Sequence, residues 1–365
     1  MNKDARSTKV TVVVPARNEE VAIGPCLDSI LAQDWEDLEV IVVDGASTDS
    51  TREVVAGFQA RDPRVRLLVN ERRIIPVALN LALAQASGAW LVRVDAHATI
   101  APGYLRRAVE HLRTGRYGGV GGRKDGVGVT AAGRAIAAAM GSRFGVGGST
   151  YHYGTTTRDV EHVPFGAYPV DLLRSMGGWD ESLRVNQDFE LDFRLRKAGH
   201  RILFDPALRI DWQSRQSVRE LFRQYHRYGR GKVSVARLHP TSMRPRHLAA
   251  PALVGMLLAA AAVGVRHPRA GVAMVSPYLG VLTAATVTTA RSLDREARPH
   301  VPLAFLAMHV GWGLGFWQGL ITPTRRAGAG AIPGSAPVDD GVLLVGVSDE
   351  TGQQSDAERD TAKTS

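Results

Sequence analysis

The chain has 365 residues and a single cysteine, Cys26. One thiol cannot form a disulfide within the chain, so a disulfide framework is excluded, and the catalytic part is expected to face a reducing compartment. The first nine residues are polar and lack the apolar core of a signal peptide. This lack predicts that the catalytic part stays in the cytoplasm.

Signatures of nucleic-acid binding are also missing. No zinc-ligand spacing, helix-turn-helix pattern or aromatic RNA-binding motif accompanies the arginines. The formal net charge is nevertheless +9. Such an excess of positive charge favours an anionic partner. We therefore expect acidic lipid headgroups or a phosphorylated substrate as partners, and no nucleic acid.

A glycine-rich turn is absent at the point where a dinucleotide-binding fold needs it. After the first predicted strand the chain runs through Pro15, Ala16 and four polar residues, and no glycine occurs before Gly24. Glycines in that turn let the backbone approach a pyrophosphate closely. Their absence argues against the binding of NAD.

The N-terminal part instead alternates short apolar runs with helical patterns. Strands are predicted at 10–15, 40–44, 65–69 and 90–95, and helices at 19–33 and 76–86. Repeated strand–helix units with short connections predict a Rossmann-like, mostly parallel sheet. Two of the strands run into an aspartate, Asp44 and Asp95. Because ligands of such sheets bind outside the carboxyl ends of the strands, both acids are candidates for contact with a nucleotide or its metal.

Six short motifs occur along the chain in an order that is typical of one enzyme family. They lie at 12–19, 42–49, 78–80, 94–97, 178–181 and 186–188. Together they resemble the motifs of the family two glycosyltransferases, which have the GT-A fold, and they are most similar to the membrane-associated, ExoA-like branch of succinoglycan biosynthesis transferases. The resemblance covers about residues 8–250. It implies transfer of a sugar from a nucleoside-diphosphate donor.

The resemblance also implies which residues bind the donor nucleotide. By likeness they are Pro15, Ala16, Asn18, Glu19, Asp44, Arg73 and Asp95. Two simpler interpretations stay open, because Asp44 suits a turn and Asn18 and Glu19 suit the start of a helix. Gly45 replaces the second aspartate of the family motif, so the identity of the bound base is left undefined.

A divalent metal, Mn²⁺ or Mg²⁺, is implied at the donor diphosphate. Such a cation neutralises the negative charge of a diphosphate leaving group. Asp95 and His97 are the candidate ligands, and His97 stands where family members usually have a second aspartate. Imidazole suits manganese better than magnesium. The alternative is that His97 orients a neighbour or touches the ribose or a phosphate.

Asp188 is the candidate catalytic base. It matches the carboxylate of the family's Glu-Asp motif, with Gln187 in place of the glutamate, and begins a helical stretch that runs to Lys197. A base takes the proton of the acceptor hydroxyl, and direct displacement with one such base predicts inversion at the anomeric carbon. An aspartate at a helix start can instead be only a cap. The helical offsets of Glu190 and Asp192 turn them away from Asp188, which predicts surface positions.

A predicted helix near 217–232 carries a further motif. Gln224, Arg227 and Tyr228 resemble the Gln-x-x-Arg-Trp motif of processive family members, with tyrosine in place of tryptophan. Offsets of three and four place them on one helix face, where they could contact the acceptor or the diphosphate. Arginines on the same helix could instead rest on anionic membrane headgroups.

Three uncharged segments follow residue 247, at 248–265, 270–290 and 301–321. The length of each segment is close to the ~20 residues that a helix needs to cross a bilayer core. They predict a membrane anchor of about three helices over 247–322, behind a catalytic domain at 1–240. Alanine and glycine make the segments only moderately apolar, so a buried soluble bundle is the alternative. The tail at 323–365 is rich in glycine, proline and serine, which predicts disorder.

The sequence therefore predicts an α/β GT-A domain on the cytoplasmic side of the cell membrane, followed by C-terminal transmembrane helices in a multi-pass arrangement. The predicted reaction is inverting sugar transfer from a nucleotide-sugar donor to a hydroxyl of a polyprenyl-linked saccharide, among membrane lipids. Two alternatives stay open. One is transfer to polyprenyl phosphate, which needs no strong base, and the other is a non-catalytic membrane scaffold that retains the fold.

Overall fold

The computed structural model describes residues 8–322 of the chain. Within these residues nine strands form one sheet. The strands are β1 (Val10–Ala16), β2 (Leu38–Asp44), β3 (Val65–Val69), β4 (Trp90–Arg93), β5 (Ala98–Ile100), β6 (Tyr117–Val127), β7 (Arg158–Val160), β8 (Ala167–Pro169) and β9 (Arg201–Gln213).

The same part of the chain contains twelve α-helices. They are α1 (Ile23–Leu31), α2 (Thr51–Arg61), α3 (Ile75–Gln85), α4 (Tyr104–Arg113), α5 (Ala131–Met140), α6 (Arg143–Val146), α7 (Val170–Ser175), α8 (Gln187–Lys197), α9 (Val218–Leu238), α10 (Ala249–Gly264), α11 (Pro268–Ala290) and α12 (His300–Ile321).

The strand order across the sheet is β3-β2-β1-β4-β8-β6-β9-β5, with β7 paired to β9. The first four of these strands are parallel, which is the Rossmann-like arrangement that the sequence predicts. In the rest of the sheet β6 and β9 are parallel, whereas β8 runs antiparallel to β4 and β6. Ala16 pairs with Asp44 and Val13 with Arg93, so β1, β2 and β4 end at one edge of the sheet.

Alternate residues of the central strands pack against helices on opposite faces of the sheet. Val12 of β1 belongs to one buried cluster with Leu27 of α1. Its neighbour Val13 belongs to a second cluster with Leu79 of α3 and Leu191 of α8. All seven residues of β2 are buried. Strands that are covered on both faces read as continuous apolar runs, which is why these strands could be predicted.

The three uncharged segments of the sequence correspond to α10, α11 and α12. Two described stretches, Pro245–Gly264 and Pro268–Ala290, are long and apolar enough to cross a membrane by length and composition. Helix α12 differs, because ten of its 22 residues are buried, and it packs along α9 and against α5. The tail predicted for 323–365 lies outside the described residues.

Three glycines at intervals of four residues, Gly311, Gly315 and Gly319, lie where α12 meets α9. A Cβ atom on Gly315 would be 2.0 Å from the main-chain oxygen of His226. No side chain fits at that distance, so the two helix backbones touch here. Small residues at this spacing allow such a close approach. Helix α12 thereby fixes the position of α9.

Candidate active site

A buried arginine at the end of β4 joins two of the predicted acids. Arg93 is 3% exposed. Its Nε and Nη2 atoms lie 2.9 and 2.8 Å from Oδ1 of Asp95. Its Nη1 atom lies 2.5 Å from Oδ2 of Asp188. One guanidinium therefore contacts both the predicted metal ligand and the predicted base.

Arg93 is charged in this position. Burial alone would lower the pKa of Arg93, but the charges of Asp188 and Asp95 outweigh burial and raise that pKa. The sequence analysis missed Arg93. The available signal was a charged residue within an otherwise apolar buried strand.

Asp188 lies in the first turn of α8, and both of its carboxylate oxygens accept hydrogen bonds. Trp179 donates from Nε1 to Oδ1 at 3.1 Å, while Arg93 contacts Oδ2. Among the described residues these partners are side chains, not the backbone N–H groups that a helix cap would bind. Asn186, which precedes the helix with φ of +62°, donates from Nδ2 to the main-chain oxygen of Tyr228 at 3.2 Å. Helix α9 thus holds the turn that carries Asp188.

His97 is oriented by Glu19. Nδ1 of His97 lies 2.9 Å from Oε1 of Glu19. A carboxylate partner places the imidazole proton on Nδ1, which leaves Nε2 as a lone-pair donor. Glu19 is predicted to bind the nucleotide, with the start of a helix as its alternative role. Its side chain contacts His97, the residue predicted to bind metal.

Asp95 and His97 offer donors that fit a divalent cation. Hydrogen bonds in the described part of the chain engage Oδ1 of Asp95, which leaves Oδ2 for a ligand. Within residues 8–322 no group of three or more His, Cys, Asp and Glu side chains gathers around one point. Mg²⁺ and similar ions at diphosphates are commonly held by one or two protein side chains and the phosphate oxygens. One carboxylate and one imidazole are compatible with that mode.

The loops after β1 and β2 are joined by hydrogen bonds. Oδ1 of Asn18 accepts from the N–H of Thr48 at 2.9 Å, and the N–H of Asn18 donates to Oγ of Ser47 at 2.9 Å. Asn18 has φ of +54°, which asparagine tolerates better than most residues. Pro15 and Ala16 are the last two residues of β1, directly before this pair of loops. The predicted nucleotide side of the site is therefore built from two interlocked loops.

Asp44 lies at the end of β2, as predicted, but its side chain is fully buried. It accepts from the N–H of Ser47 at 3.1 Å and lies 2.6 Å from Nε of Arg52. These contacts are those of a turn-forming aspartate, and direct contact with a nucleoside stays a prediction. Arg73 is exposed just before α3, with φ of +57°.

The motif on α9 contains a buried amide. Nε2 of Gln224 donates to the hydroxyl of Tyr228 at 3.0 Å. Gln224 is 2% exposed, and within the described residues its Oε1 atom has no hydrogen-bond partner. A buried acceptor without a donor is costly unless a ligand satisfies it. Arg227, on the same stretch of helix, is half-buried.

A buried lysine also lies among the acids. Nζ of Lys124 on β6 is 3.5 Å from the ring centroid of Trp212 and 4.9 Å from that of Phe165. Burial lowers the pKa of Lys124 to about 7, and the charges of Asp95 and Asp188 partly oppose this shift. The sequence analysis missed Lys124, because nothing in a glycine-rich strand indicates which sheet edge its side chains reach.

The prediction of surface positions for Glu190 and Asp192 is wrong. They are 1% and 0% exposed, respectively. Glu190 pairs with Arg194 at 2.7 Å and with His239 at 2.8 Å. Asp192 accepts from Tyr168 and contacts His162 at 2.8 Å. Offsets on an isolated helix do not show that α8 is covered on more than one side.

Two family patterns match the chain. The pattern described as Glycosyl transferase family 2 matches residues 11–168. The pattern described as Glycosyl transferase family group 2 matches residues 90–317. Together these matches extend over almost all of the described residues.

Two curated proteins show how far the similarity reaches. Succinoglycan biosynthesis protein ExoA of Rhizobium meliloti (strain 1021) is 34% identical over 331 residues, which cover 88% of this chain and 97% of ExoA. Dolichyl N-acetyl-alpha-D-glucosaminyl phosphate 3-beta-D-2,3-diacetamido-2,3-dideoxy-beta-D-glucuronosyltransferase of Methanococcus voltae is 27% identical over 233 residues, which cover 61% of this chain and 72% of that protein.

A solved structure shares the fold. Mannosyltransferase PcManGT from Pyrobaculum calidifontis, solved in complex with GDP-Man and Mn²⁺, aligns with a TM-score of 0.55 at 22% identity. The alignment covers 87% of this chain and 88% of that chain. The predicted fold class is therefore confirmed.

Proposed function

The chain belongs to glycosyltransferase family 2, and we propose that it transfers a sugar, with inversion, from a nucleoside-diphosphate donor to a hydroxyl of a lipid-linked saccharide. The observation that carries this proposal is the bridge of Arg93 between Asp95 and Asp188. The bridge places Asp95, a carboxylate suited to binding the donor and its metal, beside Asp188, a carboxylate suited to proton transfer. Family membership also makes the chain an enzyme, which removes the non-catalytic scaffold considered above.

Asp188 is the proposed base. Its oxygens are held by Trp179 and Arg93, which fixes the direction in which the carboxylate faces. Each oxygen retains a lone pair with which to accept the proton of an acceptor hydroxyl. The oxygen of that hydroxyl then bonds to the anomeric carbon as the bond to the diphosphate breaks. A single displacement of this kind inverts the anomeric centre.

Asp95 and His97 are the proposed ligands of Mn²⁺ or Mg²⁺. When bound, the cation would neutralise the charge of the departing diphosphate. Glu19 keeps Nε2 of His97 available through the hydrogen bond to Nδ1. Lys124 lies close enough to both acids for their charges to act on its pKa, and in its protonated form it would add positive charge beside the diphosphate.

We propose that the acceptor is lipid-linked and that the chain is a multi-pass protein of the cell membrane with its α/β part in the cytoplasm. The Methanococcus voltae relative is named as a transferase that acts on a dolichyl phosphate sugar. Within residues 8–322, two helices are long and apolar enough to cross a membrane. On α9, Arg219, Arg223 and Arg230 are exposed, as a helix resting on anionic headgroups requires.

Membranes that contain the chain test this proposal directly. They would be supplied with a panel of nucleotide sugars and polyprenyl-diphosphate saccharides, and the lipids would be analysed by mass spectrometry. We expect one donor to add one sugar mass to a lipid-linked acceptor, in a reaction that chelation by EDTA stops. The appearance of sugar on polyprenyl phosphate itself would favour the alternative acceptor. The absence of any lipid product with every donor would contradict the proposal.

A further inference from the structure

A cluster of basic side chains lies where α8, α9 and the segment before α10 meet. We call Arg196, Lys232, Arg244 and Arg246 the basic cluster. Nε of Arg244 lies 3.1 Å from Oε1 of Glu161, and Arg246 pairs with Oε2 of the same carboxylate. Arg196 donates from Nε to the main-chain oxygen of Glu161 at 2.9 Å. Three arginines therefore converge on a single acidic residue.

The basic cluster carries more positive charge than Glu161 balances. Burial alone would raise the pKa of Glu161, but Arg246 and Arg244 outweigh burial and lower it. Burial, followed by the charges of Arg246 and Arg196, lowers the pKa of Lys232 to about 7. Asp192, the other acid that acts on Arg196, is itself engaged by His162 and Tyr168. The side chains of Arg244 and Arg246 are 52% and 48% exposed, so their excess charge is open to a ligand.

One member of the basic cluster contacts the residue that follows the proposed base in the sequence. Nζ of Lys232 lies 3.5 Å from the ring centroid of Phe189, the residue that follows Asp188. The ring of Phe189 also stands edge-on to His247, with centroids 6.1 Å apart. A phosphate held by these cations would therefore lie beside the helix turn that carries Asp188.

The basic cluster also lies at the start of a candidate membrane span. The stretch Pro245–Gly264 begins between Arg244 and Arg246. A polyprenyl chain lies in the hydrocarbon core, and its phosphates lie at the headgroup level, where such a span begins. Guanidinium groups suit phosphate oxygens because they donate two parallel hydrogen bonds.

We propose that the basic cluster binds the phosphate groups of the lipid-linked acceptor. This inference rests on the proposed function, because it assigns a site to the acceptor of that reaction. When the lipid is absent, Glu161 forms ion pairs with Arg244 and Arg246. When the lipid binds, its phosphate replaces Glu161 as their partner. Binding at this point sets the saccharide of the acceptor towards Asp188.

The test uses the full chain in discs of phosphatidylcholine, with farnesyl diphosphate as the probe and farnesol as its uncharged counterpart. The double variant Arg244→Gln/Arg246→Gln should bind farnesyl diphosphate about tenfold more weakly or worse, since two charge-assisted contacts are lost. Its binding of farnesol should be unchanged. The matched control is Arg106→Gln/Arg201→Gln, which removes two exposed arginines paired with Asp34 and Asp159. Surface ion pairs contribute little to stability, so both variants should fold.

Glu161→Gln gives the opposite expectation. Removing the competing carboxylate should tighten the binding of farnesyl diphosphate several-fold. If the ion pairs were merely structural, this substitution would weaken binding or leave it unchanged. Unchanged affinity of the double variant for farnesyl diphosphate would overturn the proposal.

Two further measurements distinguish failure of the proposed phosphate site from failure of the proposed function. Phosphatidylglycerol added to the discs should leave most farnesyl diphosphate binding intact, and full competition would overturn the assignment to an acceptor in favour of a general headgroup site. Sugar transfer is measured on the same discs. Phosphate-dependent binding without transfer to any lipid-linked saccharide would contradict the proposed function while supporting the phosphate site.

Discussion

At the scale of single residues, substitution of Asp188 has the largest predicted effect on turnover. Asp188→Asn keeps the size of the side chain and can still accept a hydrogen bond from Trp179, but it removes the oxygen that takes a proton. We expect turnover to fall about a hundredfold to ten-thousandfold, which is the usual contribution of a general base. The rate of lipid product formation measures this loss.

The control for this substitution is Asp211→Asn, because Asp211 is an exposed aspartate on β9. It should turn over at the rate of the unmodified chain. Nearly full activity of Asp188→Asn would contradict the role of a base. That result would favour a phosphate oxygen as the nucleophile, since such an acceptor needs no strong base.

Glu19 is predicted to act through His97. Glu19→Ala removes the partner of Nδ1, and outer partners of this kind are typically worth about 10- to 100-fold in metal affinity. We expect the Mn²⁺ concentration for half-maximal activity to rise by that factor. Glu20→Ala is the neighbouring control, because Glu20 binds the N–H of Ser50 instead. An unchanged Mn²⁺ requirement in Glu19→Ala would show that His97 is not oriented in this way.

Lys124 should show opposite effects on stability and function. Lys124→Met retains a long stem against Trp212 but removes a buried ammonium that is costly to desolvate. We expect the thermal midpoint to stay level or rise while the KM for the donor increases about tenfold, as for loss of one charge-assisted contact. Thermal unfolding and initial rates measure the two quantities. An unchanged KM would remove Lys124 from the donor site.

The sequence made Asp95 and Asp188 candidates because both stand at recognisable positions, the end of a strand and the start of a helix. It could not identify Arg93 as their link. Whether a strand residue faces a helix start more than ninety positions away depends on how β4 and α8 pack. Lys124 was missed for the same reason, since its neighbours Trp212 and Phe165 come from other parts of the chain.

At the scale of elements, the contact between α9 and α12 should be sensitive to a single methyl group. Gly315→Ala would put a Cβ atom 2.0 Å from a main-chain oxygen of α9, so the helices must separate. Overpacking of this kind costs about 1–3 kcal/mol of unfolding free energy. Thermal unfolding in detergent should show a lower midpoint, with lower activity because α9 holds the turn before Asp188.

Gly280→Ala on α11 is the matched control, because nothing lies within 4 Å of the added atom. It should leave the midpoint unchanged or slightly raised, as alanine favours helices. Equal midpoints for the two variants would contradict the close helix contact.

Local sequence patterns predicted where helices and strands begin and end better than they predicted which residues pack against them. Strand β3 has the predicted bounds, and α10 to α12 lie within a few residues of the predicted segments. Burial of Glu190 could not be predicted, because its partner His239 follows the end of α9. The packing of α12 was also hidden, since a uniformly apolar helix does not show whether lipid or protein surrounds it.

At the scale of the whole molecule, the site depends on distant parts of the chain. The parallel half of the sheet supplies Asp95, α8 supplies Asp188, and α12 supports α9, which holds the start of α8. Local patterns predicted the parallel half through repeated strand–helix units. The mixed half was not predictable, because β8 and β9 pair with strands far away in sequence.

The central claim is that the edge of the sheet at Asp95 binds a donor diphosphate together with a divalent cation. Isothermal titration of the full chain with nucleoside diphosphates, with and without Mn²⁺, tests it most directly. We expect one nucleoside diphosphate to bind only when Mn²⁺ is present, and Asp95→Asn to abolish that binding while the chain remains folded. Binding that is independent of Mn²⁺, or that persists in Asp95→Asn, would contradict the account.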